Sequence, residues 1–356
     1  MRAIDHHCHP LRRWPFELTA LELRACFTEA LDPRVLRDHV PATAAYRDAL
    51  RRLGADHEET ILAARAAADP GEYANGLLER CGTGCLLLDF GFQPAESWSP
   101  EEHRREVHLP QYEIVRVEPL AERLVADCAT PGDWIAAVRE GLRSSGAVAV
   151  KTIAAYRASL RLRRPAPSEL RRDYAELRRQ RRPRVAGNAL CHALVFAAAE
   201  ECVRAGLPLQ VHCGLGDPDE DLAEANPLGL RRLFTDPGLD GLRVALLHCY
   251  PYHREAAYLC AMFPGVYMDL SLAFPLAGAD AGRALREALG LCPWTKLLYA
   301  TDASRIPELY FVAAQLEREA LAGALAEILD FGAAMAAGRQ VLVENARALY
   351  RLPADS

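Results

Sequence analysis

The sequence predicts an α/β protein, a (β/α)8 TIM barrel with a helical insertion after its first strand. Three observations carry that expectation. Eight short runs rich in Val, Ile, Leu and Tyr recur along the chain, each followed by a helical pattern of Ala, Leu, Arg and Glu. Residues able to do chemistry fall at the C-terminal ends of those runs, where the sites of such barrels assemble. The chain has 356 residues, 51% hydrophobic and 25% charged, with a formal net charge of -6. That size alone leaves two small domains or one decorated barrel open, and the repeated strand–helix unit selects a single domain over 1–356.

The expected strands occupy residues 3–9, 85–92, 113–119, 147–153, 208–213, 243–249, 266–272 and 296–301. Turn signals precede two of them: Ala205-Gly-Leu-Pro before the fifth and Phe263-Pro-Gly before the seventh. Residues 10–84 separate the first strand from the second, too long for a βα loop. Helical periodicity at 20–30, 42–53 and 58–68 makes this segment a helical insertion, read as a lid over the barrel mouth.

Composition excludes several classes of protein. The central charge-free stretch, 185–199, is shorter than the ~18 apolar residues of a membrane span and contains Asn188 and His192. The N-terminus lacks the apolar core of a signal peptide, so a cytoplasmic location is expected. Eleven cysteines, an odd number scattered through apolar segments, read as reduced and buried thiols, Cys81 and Cys85 included. Ten arginines within 161–184 read as a solvated helix face, because the chain is acidic overall and only Tyr174 interleaves. No nucleic-acid or membrane partner is expected, only a small-molecule substrate, with homo-oligomers left open. Of 42 basic residues just two are lysines, Lys151 and Lys296, which sets those two apart from generic surface cations.

The first strand ends Ile4-Asp5-His6-His7-Cys8-His9. Alternation with period two points His7 and His9 the same way, with Asp5 below them and His6 on the other face. Same-face neighbours ~6–7 Å apart let two imidazoles converge on one ion. His212 ends the fifth strand, His248 the sixth, Asp302 the eighth, and Lys151 the fourth. Together they fall where the active sites of such barrels assemble. Zinc suits imidazole and carboxylate ligands best, with manganese or iron as alternatives. Asp302 is placed to accept a water proton and hand it to a leaving group. Asp269 and Ser271 are candidates for orienting ligands, and Asp89 for satisfying backbone. Arg157, Tyr252, His253 and Arg305 follow on loops as candidate substrate contacts.

From Asp5-His-His-Cys-His9 to Glu344-Asn-Ala-Arg-Ala-Leu-Tyr350 the chain resembles the amidohydrolase superfamily of metal-dependent barrels. Lys151-Thr-Ile-Ala-Ala-Tyr-Arg157, Gln210-Val-His-Cys-Gly-Leu-Gly-Asp217, Glu224-Ala-Asn-Pro227, His248-Cys-Tyr-Pro251 and Tyr267-Met-Asp-Leu-Ser271 resemble one branch more narrowly. That branch forms the amidohydrolase half of nodulin-type proteins fused to a glutamine synthetase domain. The resemblance implies that His7, His9 and Asp302 bind a first metal, while His212 and His248 hold a second metal or the substrate. It also implies a choice at Lys151, carbamylated and bridging two ions in binuclear members, dispensable in mononuclear ones. Asp302, Lys151 and His248 are then the catalytic residues. The implied reaction is hydrolysis of a C–N amide bond in a small carboxylate-bearing substrate, with a γ-glutamyl amide foremost. Two alternatives stand beside it: a mononuclear decarboxylase, hydratase or uronate-isomerase-like enzyme, for which the long insertion would be a lid, and a non-catalytic ligand-binding barrel.

Overall fold

The computed structural model describes residues 1–92 and 95–354. Among these, seven parallel strands pair in chain order: β1 (Ala3–Cys8), β2 (Thr83–Asp89), β3 (Gln111–Arg116), β4 (Ala149–Thr152), β5 (Pro208–Cys213), β6 (Arg243–His248) and β7 (Val266–Met268). β1, β4 and β5 are buried along their whole length, as a parallel sheet covered by helices requires. The expected eighth strand, 296–301, forms no regular ladder. It begins in the 3-10 turn Trp294–Lys296 and still closes the barrel through backbone bonds. Leu298 N–H donates to Met268 O at 2.9 Å, His6 N–H to Tyr299 O at 3.2 Å and Asp302 N–H to His7 O at 3.0 Å. The third strand ends at Arg116, because Val117–Arg123 turns helical with Pro119 in its first turn, where a missing N–H costs nothing. The seventh stops at Met268, since the Asp269 carboxylate takes the Ser271 N–H at 2.9 Å and turns the chain.

Strict alternation fails in β1. A register shift between Asp5 and Cys8 against β2 lets both His6 and His7 reach across the barrel, His6 to Asp269 and His7 to Lys151. Asp5 does not sit beneath the histidines as expected. It binds the Thr301 N–H at 3.1 Å and hydroxyl at 2.6 Å, tying the end of the closing segment to β1.

Between β1 and β2 the structure has helices at Ala20–Ala25, Pro33–Asp38, Ala44–Arg52, Glu58–Ala67 and Pro70–Arg80. The periodicity missed Pro33–Asp38 and Pro70–Arg80, which are set by end signals instead. Asp32 and Asp69 each accept the N–H groups of a first turn that opens with proline. Thr19 and Glu22 form a reciprocal cap on the first of the five. The Arg24–Glu58 ion pair and the Tyr46 hydroxyl on Glu58 join the first, third and fourth of these helices.

A second apolar cluster fills the barrel where the strands begin. Ile4, Cys85, Leu87, Ala149, Leu247 and Leu298 pack there against Ala346, Leu349 and Tyr350 from the C-terminal helix Asn345–Tyr350. The Tyr350 hydroxyl meets His6 Nδ1 at 2.8 Å and receives Gln210 Nε2 at 2.9 Å. All eleven cysteines are buried and unpaired, Cys81 and Cys85 in the core. The arginine-rich segment is helical only over Pro167–Leu177, and Lys296 caps the carbonyls of Cys260 and Phe263. No helix among the described residues is long and apolar enough to cross a membrane.

Candidate functional site

The C-terminal strand ends surround a cavity of about 410 Å³, lined among others by His9, Lys151, His212, His248 and Asp302. Ligand atoms of His7, His9 and Asp302 lie within 4.8 Å of one another. His7 Nε2 is 3.1 Å and His9 Nε2 is 3.3 Å from Asp302 Oδ1, an oxygen buried without a hydrogen-bond partner. His9 Nδ1 donates to Asp89 O at 3.0 Å, which leaves the lone pair on Nε2 facing Asp302. Burial, reinforced by the neighbouring Lys151 charge, pushes His7 down to about 3, so its imidazole is neutral. Two imidazole nitrogens and an orphaned carboxylate oxygen converging on one point form a donor set that suits a divalent metal.

The surroundings fix each member. Ser271 gives its hydroxyl proton to Asp269 Oδ1 at 2.6 Å and so accepts from His248 Nδ1 at 2.9 Å, leaving the His248 lone pair on Nε2. Asp269 also takes the His248 N–H at 2.8 Å and His6 Nε2 at 2.9 Å. Burial opposes its ionisation, but His6 and His248 together hold the carboxyl below its ordinary range. The His212 ring lies 4.5 Å from that of His248 and 4.5 Å from that of Tyr156, with Glu220 Oε2 2.9 Å from its Nε2. Lys151 Nζ is 2.7 Å from His7 Nε2 and 3.3 Å from Asp89 Oδ2. Burial lowers the lysine pKa, and Asp89 resists that shift. Asp89 does far more than satisfy backbone: its Oδ2 receives Arg116 Nε at 2.9 Å as well.

Backbone strain collects at the same rim. His248, Cys249, Asp302 and Arg305 have φ of 68°, 49°, 49° and 63°, the left-handed region that non-glycine residues avoid.

Of the expected substrate contacts, Arg157 and Arg305 line the cavity. Tyr252 and His253 do not: the Tyr252 hydroxyl donates to Leu222 O at 2.9 Å, and His253 faces Glu287 at 2.8 Å. Both sit where the chain turns into the helix His253–Met262, which carries them away from the mouth. Missed in the sequence were Glu29, Arg116 and Tyr156, which line the cavity, and Glu220 beside it. Glu29 lies on the insertion between two helices, where no periodic or motif signal marks it.

Residues 165–352 match the model of the amidohydrolase family. Protein fluG of Emericella nidulans (strain FGSC A4) is 28% identical, the match covering 98% of this chain and 45% of that protein, so the chain spans under half the length of this curated relative. It agrees with the synthetase-fused branch that the motifs resemble. A protein of Lactobacillus casei ATCC 334, assigned as a metal-dependent hydrolase, is 30% identical, with a TM-score of 0.90 over 98% of this chain and 95% of that one. A uronate isomerase of Bacillus halodurans C-125, 11% identical with a TM-score of 0.68 over 99% of this chain and 94% of that one, shares the barrel fold. With more than half its length in the family model and its histidines and aspartate converging at the strand ends, the chain belongs to the amidohydrolase family.

Proposed function

We propose that the protein is a single-domain metal-dependent hydrolase that cleaves the C–N amide bond of a small carboxylate-bearing substrate, with a γ-glutamyl amide foremost. The observation that carries this reading is the pair of histidine Nε2 atoms meeting the unpartnered Asp302 Oδ1. His7, His9 and Asp302 would hold the metal, zinc by ligand type, with His248 Nε2 and His212 beside it. Bound there, a divalent ion lowers the pKa of water towards ~7 and polarises a carbonyl. Asp302 takes the proton of the attacking water and passes it to the amide nitrogen as the C–N bond breaks, which releases a carboxylate and an amine. Residues 10–84 wall the mouth and act as a lid that limits water access. Eleven buried free thiols favour a cytoplasmic setting.

Lys151 fits a single-ion site better than a bridged pair. Its amine already faces Asp89 at 3.3 Å, and a carbamate there would bring a second negative charge against that carboxylate. A one-metal site is also what favours the second reading, a decarboxylase or isomerase on the same barrel.

Metal analysis of His7→Ala and His9→Ala, each removing one of about four ligands, tests the assignment. Metal content and amide turnover fall together while the far-UV spectrum is kept. Stoichiometric metal and full turnover in both variants rejects the site. Turnover of uronates without amides transfers the protein to the second reading.

A further inference from the structure

We infer, building on the hydrolase reading above, that the non-reacting end of the substrate is zwitterionic, with an ammonium received by Glu29 and a carboxylate received by Arg305. Elimination among the charges of the cavity leads there. Four of the five cations lining it are already engaged: Lys151 and Arg116 by Asp89, Arg157 by Glu122 at 3.4 Å, and Arg184 by Asp219 at 3.5 Å. Arg305 forms no ion pair among the described residues, and its Nε is buried without a hydrogen-bond partner. The Phe92 ring, 5.9 Å from its guanidinium carbon, gives the fork an apolar face to lie on.

The acids divide in the same way. Asp302 belongs to the histidines, Asp219 faces Arg184, and Asp217 accepts the Asp219 N–H at 2.9 Å. Glu29 forms neither a hydrogen bond nor an ion pair among the described residues, although it lines the cavity. Near it, the Glu220 side chain is only 2% exposed and has no basic group beside it among the described residues other than the His212 ring, whose Nε2 lies 2.9 Å from Oε2. Burial first, then the Asp302, Asp217 and Glu220 charges, push Glu29 up to about 7, with Arg305 pulling the other way. The acidic side is therefore short of positive charge, and the Arg305 side short of negative charge. No ion pair joins Glu29 to Arg305, so neither satisfies the other. A ligand bearing an ammonium and a carboxylate supplies both missing partners at once. A plain dicarboxylate would satisfy Arg305 and be repelled by Glu29 and Glu220.

Wild type and Glu29→Gln, purified with their metal, are compared in two measurements. Thermal shift with L-glutamate against glutarate, and with L-aspartate against succinate, reads recognition without turnover. The wild type is stabilised by the amino acids and far less by the diacids, and the variant loses that preference. Kinetics on γ-glutamyl-p-nitroanilide and glutaryl-p-nitroanilide read the same discrimination in catalysis. Glu29→Gln raises KM for the first by roughly 10–100-fold, as expected for one charge-assisted bond, and lowers KM for the second, whose carboxylate it no longer repels, with kcat kept for both. Equal stabilisation by amino acids and diacids in the wild type, or an unchanged preference in Glu29→Gln, overturns the inference. Selective binding of the amino acids without turnover of either anilide sinks the hydrolase reading and leaves the zwitterion site standing.

Discussion

His103 shows how one buried side chain couples stability to pH. It lies in the helix Pro100–Glu106, faces Gln111 Oε1 through Nδ1 at 2.7 Å and accepts the Leu11 N–H on Nε2 at 3.2 Å. Accepting on Nε2 needs the neutral ring; burial lowers its pKa to about 4, and the Gln111 bond, which either form can donate, resists that shift. The unfolded chain binds this proton below about 6.5, the folded chain only near 4, so the contribution is complete above 6.5 and is lost as pH falls through that window. The shift corresponds to roughly 3 kcal/mol. Urea titrations of wild type and His103→Gln should therefore differ most above pH 6.5 and converge towards pH 4. A gap that stays constant with pH refutes the assignment. At this scale the sequence was readable where strand ends concentrate chemistry: His7, His9, His212, His248, Lys151 and Asp302 all arrive near one mouth. It misled at Tyr252 and His253, because strand periodicity says nothing about where a chain heads after it leaves the sheet. It was silent at Glu29, which is close to the site only through tertiary packing.

At the scale of elements, the loops leaving β5 and β6 are fitted to one another. Leu215 N–H donates to Tyr250 O at 2.6 Å, and Gly214 has φ +79°, with an added Cβ falling 2.3 Å from that same oxygen. Two penalties coincide in Gly214→Ala, a left-handed backbone and a collision with main chain that cannot swing aside. Together they should cost roughly 2–4 kcal/mol. Because His212 lies two residues earlier, activity should fall with stability; an unchanged urea midpoint would contradict the fit. Boundaries were the weakest part of the expected elements for a physical reason. Pro119 and the Asp269 carboxylate end their strands by local hydrogen-bond chemistry, whereas an apolar run merely marks what is buried. The β1 irregularity was likewise invisible, since alternation assumes a regular ladder.

For the whole molecule, barrel architecture was legible because strand and helix periods alternate along the chain. The C-terminal plug was not, since nothing in Asn345–Tyr350 says that its apolar face enters the barrel. Tyr350→Phe tests that plug. It leaves His6 Nδ1 and Gln210 Nε2 short of a partner in a buried place, at a cost of about 1–3 kcal/mol. Calorimetry should show a lowered Tm with metal content retained, and an unaltered Tm would mean that water replaces the hydroxyl. Barrel closure through Asp5 and Thr301 carries one more consequence, for the order of events during synthesis. His7 and His9 leave the ribosome about three hundred residues before Asp302 follows. A contact of such long sequence separation forms late, because a large loop must close before it brings any reward. Capture of the proposed metal would thus be tied to the final seam of the barrel, and a nascent chain stalled before Asp302 would carry both imidazoles yet hold such an ion weakly.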